Sequence, residues 1–135
     1  MAGNPAVMLR ALATGLALNR ILFGVNFLRS PARAGRMWVV SRAARRPENR
    51  VFGRALGARD PALGLGALRA IQEGDDAAAR AWMAGHALSD GTDLVATLTA
   101  RRELPAGPAA FALAMAGAST AIGTAAALRL GREGE

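Results

Sequence analysis

A chain of 135 residues is long enough for one domain, and its 52% hydrophobic content with mean hydropathy +0.19 is high for a water-soluble protein. Aromatic residues make up only 4% and tyrosine is absent, so a soluble core would be packed almost wholly from alanine, leucine and valine; the lack of cysteine excludes disulfides, thiol catalysis and cysteine-ligated metals. The net charge of +7 rests on 17 arginines and no lysine, and because no binding motif or aromatic stacking platform accompanies them, nucleic acid is not an expected partner.

The first apolar stretch, residues 5–28, opens after Asn4-Pro5, a capping residue followed by a helix-starting proline, and "SPARAGR" ends it. Arg10 ahead of the apolar run, with Asn19 and Arg20 behind it, does not fit a cleaved signal peptide. Residues 29–50 read as a basic loop, in which Trp38 of "MWVVSRAARR" belongs either among lipid headgroups or in a solvated segment. The second stretch, 51–71, is interrupted by Arg59-Asp60-Pro61. Proline cannot donate to residue 57 and disfavours α geometry at Asp60, so a kink or break is expected there, with Asp60 capping the half that begins at Pro61.

The third stretch, 77–100, follows "EGDDA", whose Asp75 and Asp76 suit a helix N-terminus. The fourth, 104–128, has no charge in 25 residues. That length crosses a hydrocarbon core of about 30 Å at about 1.5 Å per residue. No strand alternation is present. The expected fold is therefore all-α: one integral membrane domain over residues 1–135, built as a four-helix transmembrane bundle with its second helix kinked at Asp60-Pro61.

Arginines near the span ends set the expected orientation. The connections between spans 1 and 2 and between spans 3 and 4 carry nine, from Arg29 to Arg50 and at Arg101 and Arg102, against four on the other side, Arg69, Arg80, Arg129 and Arg132. The connections between spans 1 and 2 and between spans 3 and 4 are expected in the cytoplasm, and the protein in the inner (plasma) membrane as a multi-pass chain.

Counting from each cytoplasmic end, Arg20 lies eight residues from Leu28, Arg59 and Asp60 eight and nine from Val51, and Asp93 and Asp90 seven and ten from Ala100. These five side chains therefore fall in one slab near mid-membrane. Intramembrane charges face the bundle interior, pair with one another and mark sites. His86, Asp90, Asp93 and Thr97, at i, i+4, i+7 and i+11, form a polar stripe on the third helix. A purely structural clamp, Arg59–Asp90 or Arg59–Asp93, is the competing reading, and a soluble bundle exposing Asp90 and Asp93 is a third. One histidine and dispersed carboxylates imply no metal site, and no cofactor is implied.

Two stretches, "NRVFGRALGARDPALGLG" at 49–66 with its G-x-R-D-x-x-L-G core and "ALSDGTDLVATLTARR" at 87–102, resemble a family of small, uncharacterised four-helix integral membrane proteins of high-GC bacteria. The resemblance runs over most of the chain. It implies a fold and points by position to Arg59, Asp60, Asp90 and Asp93, without supplying a reaction.

Three functions are expected from different classes. In the first, a lipophilic small molecule enters from the bilayer and meets an acid–base site suited to epoxide opening, cyclisation or isomerisation. Asp90 is then the base, Asp93 or Asp60 the acid and Arg59 the electrostatic anchor, with Arg20, His86 and Thr97 binding the ligand. In the second, the chain is a structural or accessory subunit of a membrane complex. In the third, Asp60, Asp90 and Asp93 relay protons or cations within a homo-oligomer. Membrane lipids are expected partners in each.

Overall fold

The computed structural model describes residues 4–132, which form six α-helices and one 3-10 turn and, among these residues, no strand. In chain order they are α1 (Pro5–Arg29), α2 (Pro31–Ala34), the 3-10 turn Gly35–Met37, α3 (Ser41–Ala44), α4 (Pro47–Glu73), α5 (Asp76–Ala100) and α6 (Ala106–Arg129).

Local chemistry sets most of these ends. The Asn4 side chain accepts a hydrogen bond from the Ala6 amide at 3.0 Å, and Pro5 stands in the first turn, where its missing donor costs nothing. Helix α4 stops at Gly74, whose φ of 71° is the left-handed conformation that glycine tolerates best. Asp75 then caps α5 by accepting from the Ala78 amide at 2.9 Å, so the chain reverses within two residues. At the same end Arg10 pairs with Asp76 at 2.5 Å, and Arg80 donates to the Leu130 carbonyl at 2.6 Å, supplying a donor just past the end of α6.

The basic segment expected as a loop is instead largely helical. Pro31 and Pro47 each occupy a first helical position, and α4 begins at Pro47 rather than at 51. Hydropathy detects runs long enough to span a membrane and is blind to short, arginine-rich turns of helix, although arginine and alanine are both good helix formers. Nor is α4 broken at Pro61: its helical run continues to Glu73. The pyrrolidine ring sits against Gly24 of α1, where a β-carbon would overlap it, and Asp60 uses its side chain in ion pairs rather than as a cap.

Helix α1 packs along α4 and α5 along α6, while α4 meets α5 and α1 meets α6. The α1–α4 contact is close enough to require glycine. A β-carbon at Gly57 would stand 2.8 Å from the Leu28 nitrogen, and one at Gly64 would stand 2.6 Å from the Ala17 carbonyl oxygen. The interior is built largely from small side chains, among them Ala13, Ala17, Ala67, Ala79 and Ala126, with Met83 the bulkiest apolar residue fully enclosed.

The burial pattern combines an apolar interior with enclosed charge and an exposed apolar surface. Arg20, Asp60, His86, Asp90 and Thr97 are buried, while large apolar side chains face outward on all four long helices, including Leu22 at 72%, Phe52 at 67%, Leu88 at 75% and Leu128 at 57% exposure. Two helices, α1 and α6, are long and apolar enough to cross a membrane. Helices α4 and α5 have comparable length but carry most of the buried charge.

The α1–α4 contact makes a sharp prediction. Gly64→Val forces two backbones apart and is expected to cost about 1–3 kcal/mol, whereas Gly117→Val, at a position with open space around its α-carbon, is expected to stay within about 0.5 kcal/mol of the parent. Thermal unfolding in mild detergent distinguishes the two.

Candidate functional site

One connected set of ion pairs joins three helices near their midpoints. Asp60 is the central residue of α4 (Pro47–Glu73), and its neighbour Arg59 points to the same junction. Arg20 of α1 donates through Nη1 to Asp60 Oδ1 at 2.7 Å and through Nη2 to Asp90 Oδ1 of α5. Its Nη1 also lies 3.3 Å from the Ser89 hydroxyl. Arg59 donates through Nε to the same Asp60 Oδ1 at 3.0 Å and through Nη2 to Asp93 Oδ2 at 2.9 Å.

The five charged residues placed at one depth by counting are therefore brought together, and of the two clamps expected for Arg59 the one with Asp93 forms. Arg59 pairs with Asp93 and Asp60, not with Asp90. The Asp90 carboxylate belongs to Arg20, a residue the sequence placed at the right depth but only as a ligand contact and the fold makes the bridge between two carboxylates. The reason is rotational. Counting fixes how far along a helix a side chain sits, whereas the close α1–α4 packing decides which way it points, and α1 turns Arg20 inward.

Burial grades the two arginines. The Arg20 side chain is 5% exposed and the Arg59 side chain 33%. Formally, two cations face three anions, and one oxygen, Asp90 Oδ2, is buried without a hydrogen-bond partner. A buried carboxylate oxygen in that condition is a strong acceptor for any donor that reaches it.

Beside this network lies a cavity of about 180 Å³. Arg20, Asp60, Asp90 and Asp93 form its charged side, with Asn19 and Ser119 as neutral polar groups. Leu16, Phe23, Met37, Trp38, Phe111 and Met115 form the apolar side. Trp38 is half-buried. The 3-10 turn carries it back over α1, where its ring meets Phe23 edge-on at 5.7 Å and Phe27 at 5.8 Å.

His86 and Thr97 lie outside the cavity lining. His86 is fully buried next to the Leu63 backbone, and neither ring nitrogen has a hydrogen-bond partner of normal geometry. The Thr97 hydroxyl is spent on the Asp93 carbonyl of its own helix at 2.7 Å. The stripe they share with Asp90 and Asp93 runs about three turns, and its two ends fall about 6 Å from the charged layer. Sequence reasoning missed Asn19, Ser89 and Ser119 as polar neighbours and Phe23, Met37, Trp38, Phe111 and Met115 as the apolar wall. A usable signal existed for Phe23, which stands three residues beyond Arg20 and therefore on the same helix face.

No protein-family model, curated protein or solved structure matches this chain.

The charge network gives a graded prediction. Arg20→Gln leaves Asp60 and Asp90 without their shared cation and is expected to cost about 3–5 kcal/mol in thermal unfolding. Arg59→Gln is expected to cost clearly less, because its side chain is one-third exposed. Neutralising Arg20 together with its two partners, by Arg20→Met, Asp60→Asn and Asp90→Asn, is expected to recover most of the lost stability.

Proposed function

We propose that the protein is a four-helix transmembrane bundle, with α1, α4, α5 and α6 as its spans, that binds a lipophilic small molecule at the Arg20–Asp60–Asp90 network. The proposal keeps the membrane architecture implied by the G-x-R-D-x-x-L-G resemblance, with the connections between α1 and α4 and between α5 and α6 in the cytoplasm. The observation that carries it is the cavity: an ionised network on one side and aromatic and thioether side chains on the other, inside an assembly whose outer face is apolar. A simple clamp between helices needs no such space.

Several features support a lipid setting. Outward-facing leucine, valine and phenylalanine on all four long helices would otherwise meet water. The hydroxyls of Thr14, Thr92, Thr97 and Thr120 each bond to the carbonyl four residues earlier, which removes a polar group from the helix surface.

The cavity sets the size of the ligand. An engineered apolar cavity of about 150 Å³ takes up benzene, so the space here suits a molecule of roughly one ring. Its apolar body would rest on Phe23, Trp38 and Phe111, and its polar end would meet the carboxylates of Asp90 and Asp93. As an acid–base site, Asp90 takes the proton. Asp60 is committed to both arginines, which leaves Asp93, held by Arg59 alone, as the acid partner, and Arg20 beside them to stabilise developing negative charge. Epoxide opening, cyclisation and double-bond isomerisation each need that combination.

Two measurements test the proposal. Single cysteines at Glu48 and Gln72, near opposite ends of α4, are expected to react with a membrane-impermeant thiol reagent from opposite sides of intact membranes, against a background free of native thiols. Equal reactivity from one side would sink the spanning arrangement. In a Trp82→Phe variant Trp38 is the sole tryptophan and a reporter on the cavity wall. Titration with one-ring lipophilic alcohols or epoxides is expected to change its fluorescence saturably, and Ala116→Leu, which fills the cavity, is expected to abolish the change. A linear response identical in both proteins would remove the binding site.

A further inference from the structure

A second concentration of charge lies at the end of the assembly where α1 finishes and α4 begins. Arg29, Arg33, Arg36, Arg45, Arg50 and Arg54 line one groove of about 510 Å³. They come from separate pieces of backbone: the last turn of α1, α2 and the 3-10 turn, the residue after α3, and the first two turns of α4. The short helices between residues 31 and 44 thus fold a basic stretch of sequence back against a second basic stretch.

None of the six forms an ion pair among the described residues, although four other arginines of the chain do. Glu48 is the sole acidic residue between positions 29 and 59, and it too makes no ion pair. Six unneutralised guanidinium groups around one concavity repel one another and create a strong local field for an anion. Guanidinium forks match the oxygens of a phosphate in paired hydrogen bonds, so the anion they fit best is a phosphate ester.

The surroundings distinguish a lipid phosphate from a soluble one. Val25 lies one turn before Arg29 on the same face of α1, deeper along the helix, and Leu28 is next to it; both are exposed. The groove therefore opens onto apolar helix surface along which acyl chains can lie. We infer that the arginine groove is a binding site for the headgroup phosphate of an anionic phospholipid, taken from the membrane leaflet at this end of the helices. This rests on the spanning arrangement proposed above, which sets Arg29 and Arg54 at the boundary between hydrocarbon and headgroups.

The test uses the full chain in vesicles of phosphatidylcholine and phosphatidylglycerol, extracted into mild detergent, with the lipid retained by the protein counted by mass spectrometry. The parent protein is expected to enrich phosphatidylglycerol over phosphatidylcholine. The variant Arg33→Gln, Arg36→Gln, Arg50→Gln is expected to lower that enrichment roughly tenfold or more. A control, Arg42→Gln, Arg46→Gln, Arg101→Gln, removes the same charge from exposed positions at the same end but outside the groove, and is expected to retain the enrichment. Equal loss in both variants would mean a diffuse field and no site, and the absence of enrichment in the parent would overturn the inference outright. Displacement of the lipid by an equal concentration of inorganic phosphate would assign the groove to a soluble anion instead. Alkaline carbonate separates the two levels of failure. Parent protein stripped from the vesicles by carbonate would defeat the spanning arrangement, whereas protein that stays embedded without lipid enrichment would defeat only the groove.

Discussion

The contact on which the rest of the molecule depends is the Arg20 guanidinium held between Asp60 and Asp90. One cation on α1 reaches anions on α4 and α5, so three helices share a single depth and a single rotational setting. Alone at the centre of a bilayer, each of these groups would cost about 2.5–3.5 kcal/mol on insertion scales. Joined, each supplies the partner that the others lack. Aspartate is short, and an arginine can bridge two of them only if the helix axes come close. The glycines at positions 24, 57 and 64 and the alanine interior follow from that requirement, since a larger side chain would meet backbone at 57 and 64 and the Pro61 ring at 24.

The same constraint explains why the molecule has so little conventional core. Lipid tails are as apolar as leucine, so a membrane helix gains nothing by turning leucine inward, and association comes from close packing and polar contacts. In the proposed membrane setting the distribution suits that logic: alanine, glycine and charge fill much of the interior, with Leu16, Phe27, Met83 and Leu130 the bulky apolar groups enclosed, while leucine, valine and phenylalanine are prominent outside. Larger apolar groups gather beside the charged layer, where Phe23, Met37, Trp38, Phe111 and Met115 wall the cavity. Bulk is placed where space must be shaped and withheld where helices must touch.

Much of this was legible in the amino-acid sequence, because some properties depend only on distance along the chain. The uncharged run from 104 to 128 and the Asn4-Pro5 and Asp75 starts marked helices, and similar counts from the expected span ends brought Arg20, Arg59, Asp60, Asp90 and Asp93 to one level. Properties that depend on rotation or on contacts between distant segments were not legible. Arg20 in "LNRIL" carries no local sign that it will hold two carboxylates, and Asp60 beside Pro61 looks like a cap until Gly24 is found to receive the proline ring. His86 and Thr97 share a face with the aspartates, yet each lies about one turn beyond the cavity. Trp38 returns to Phe23 and Phe27 through two short helical turns, α2 and the 3-10 turn, that hydropathy reads as loop.

The position of the charged layer carries an electrical consequence. In the proposed arrangement it sits halfway across the bilayer, so a proton or charged ligand that reaches Asp90 from either side has moved through about half of the transmembrane voltage. A full crossing is worth about 2.3 kcal/mol per elementary charge at 100 mV. Half of that, about 1.2 kcal/mol, changes occupancy about sevenfold. Cation and proton affinity at this layer would therefore track the energised state of the cell, while a neutral ligand in the same cavity would be indifferent to it.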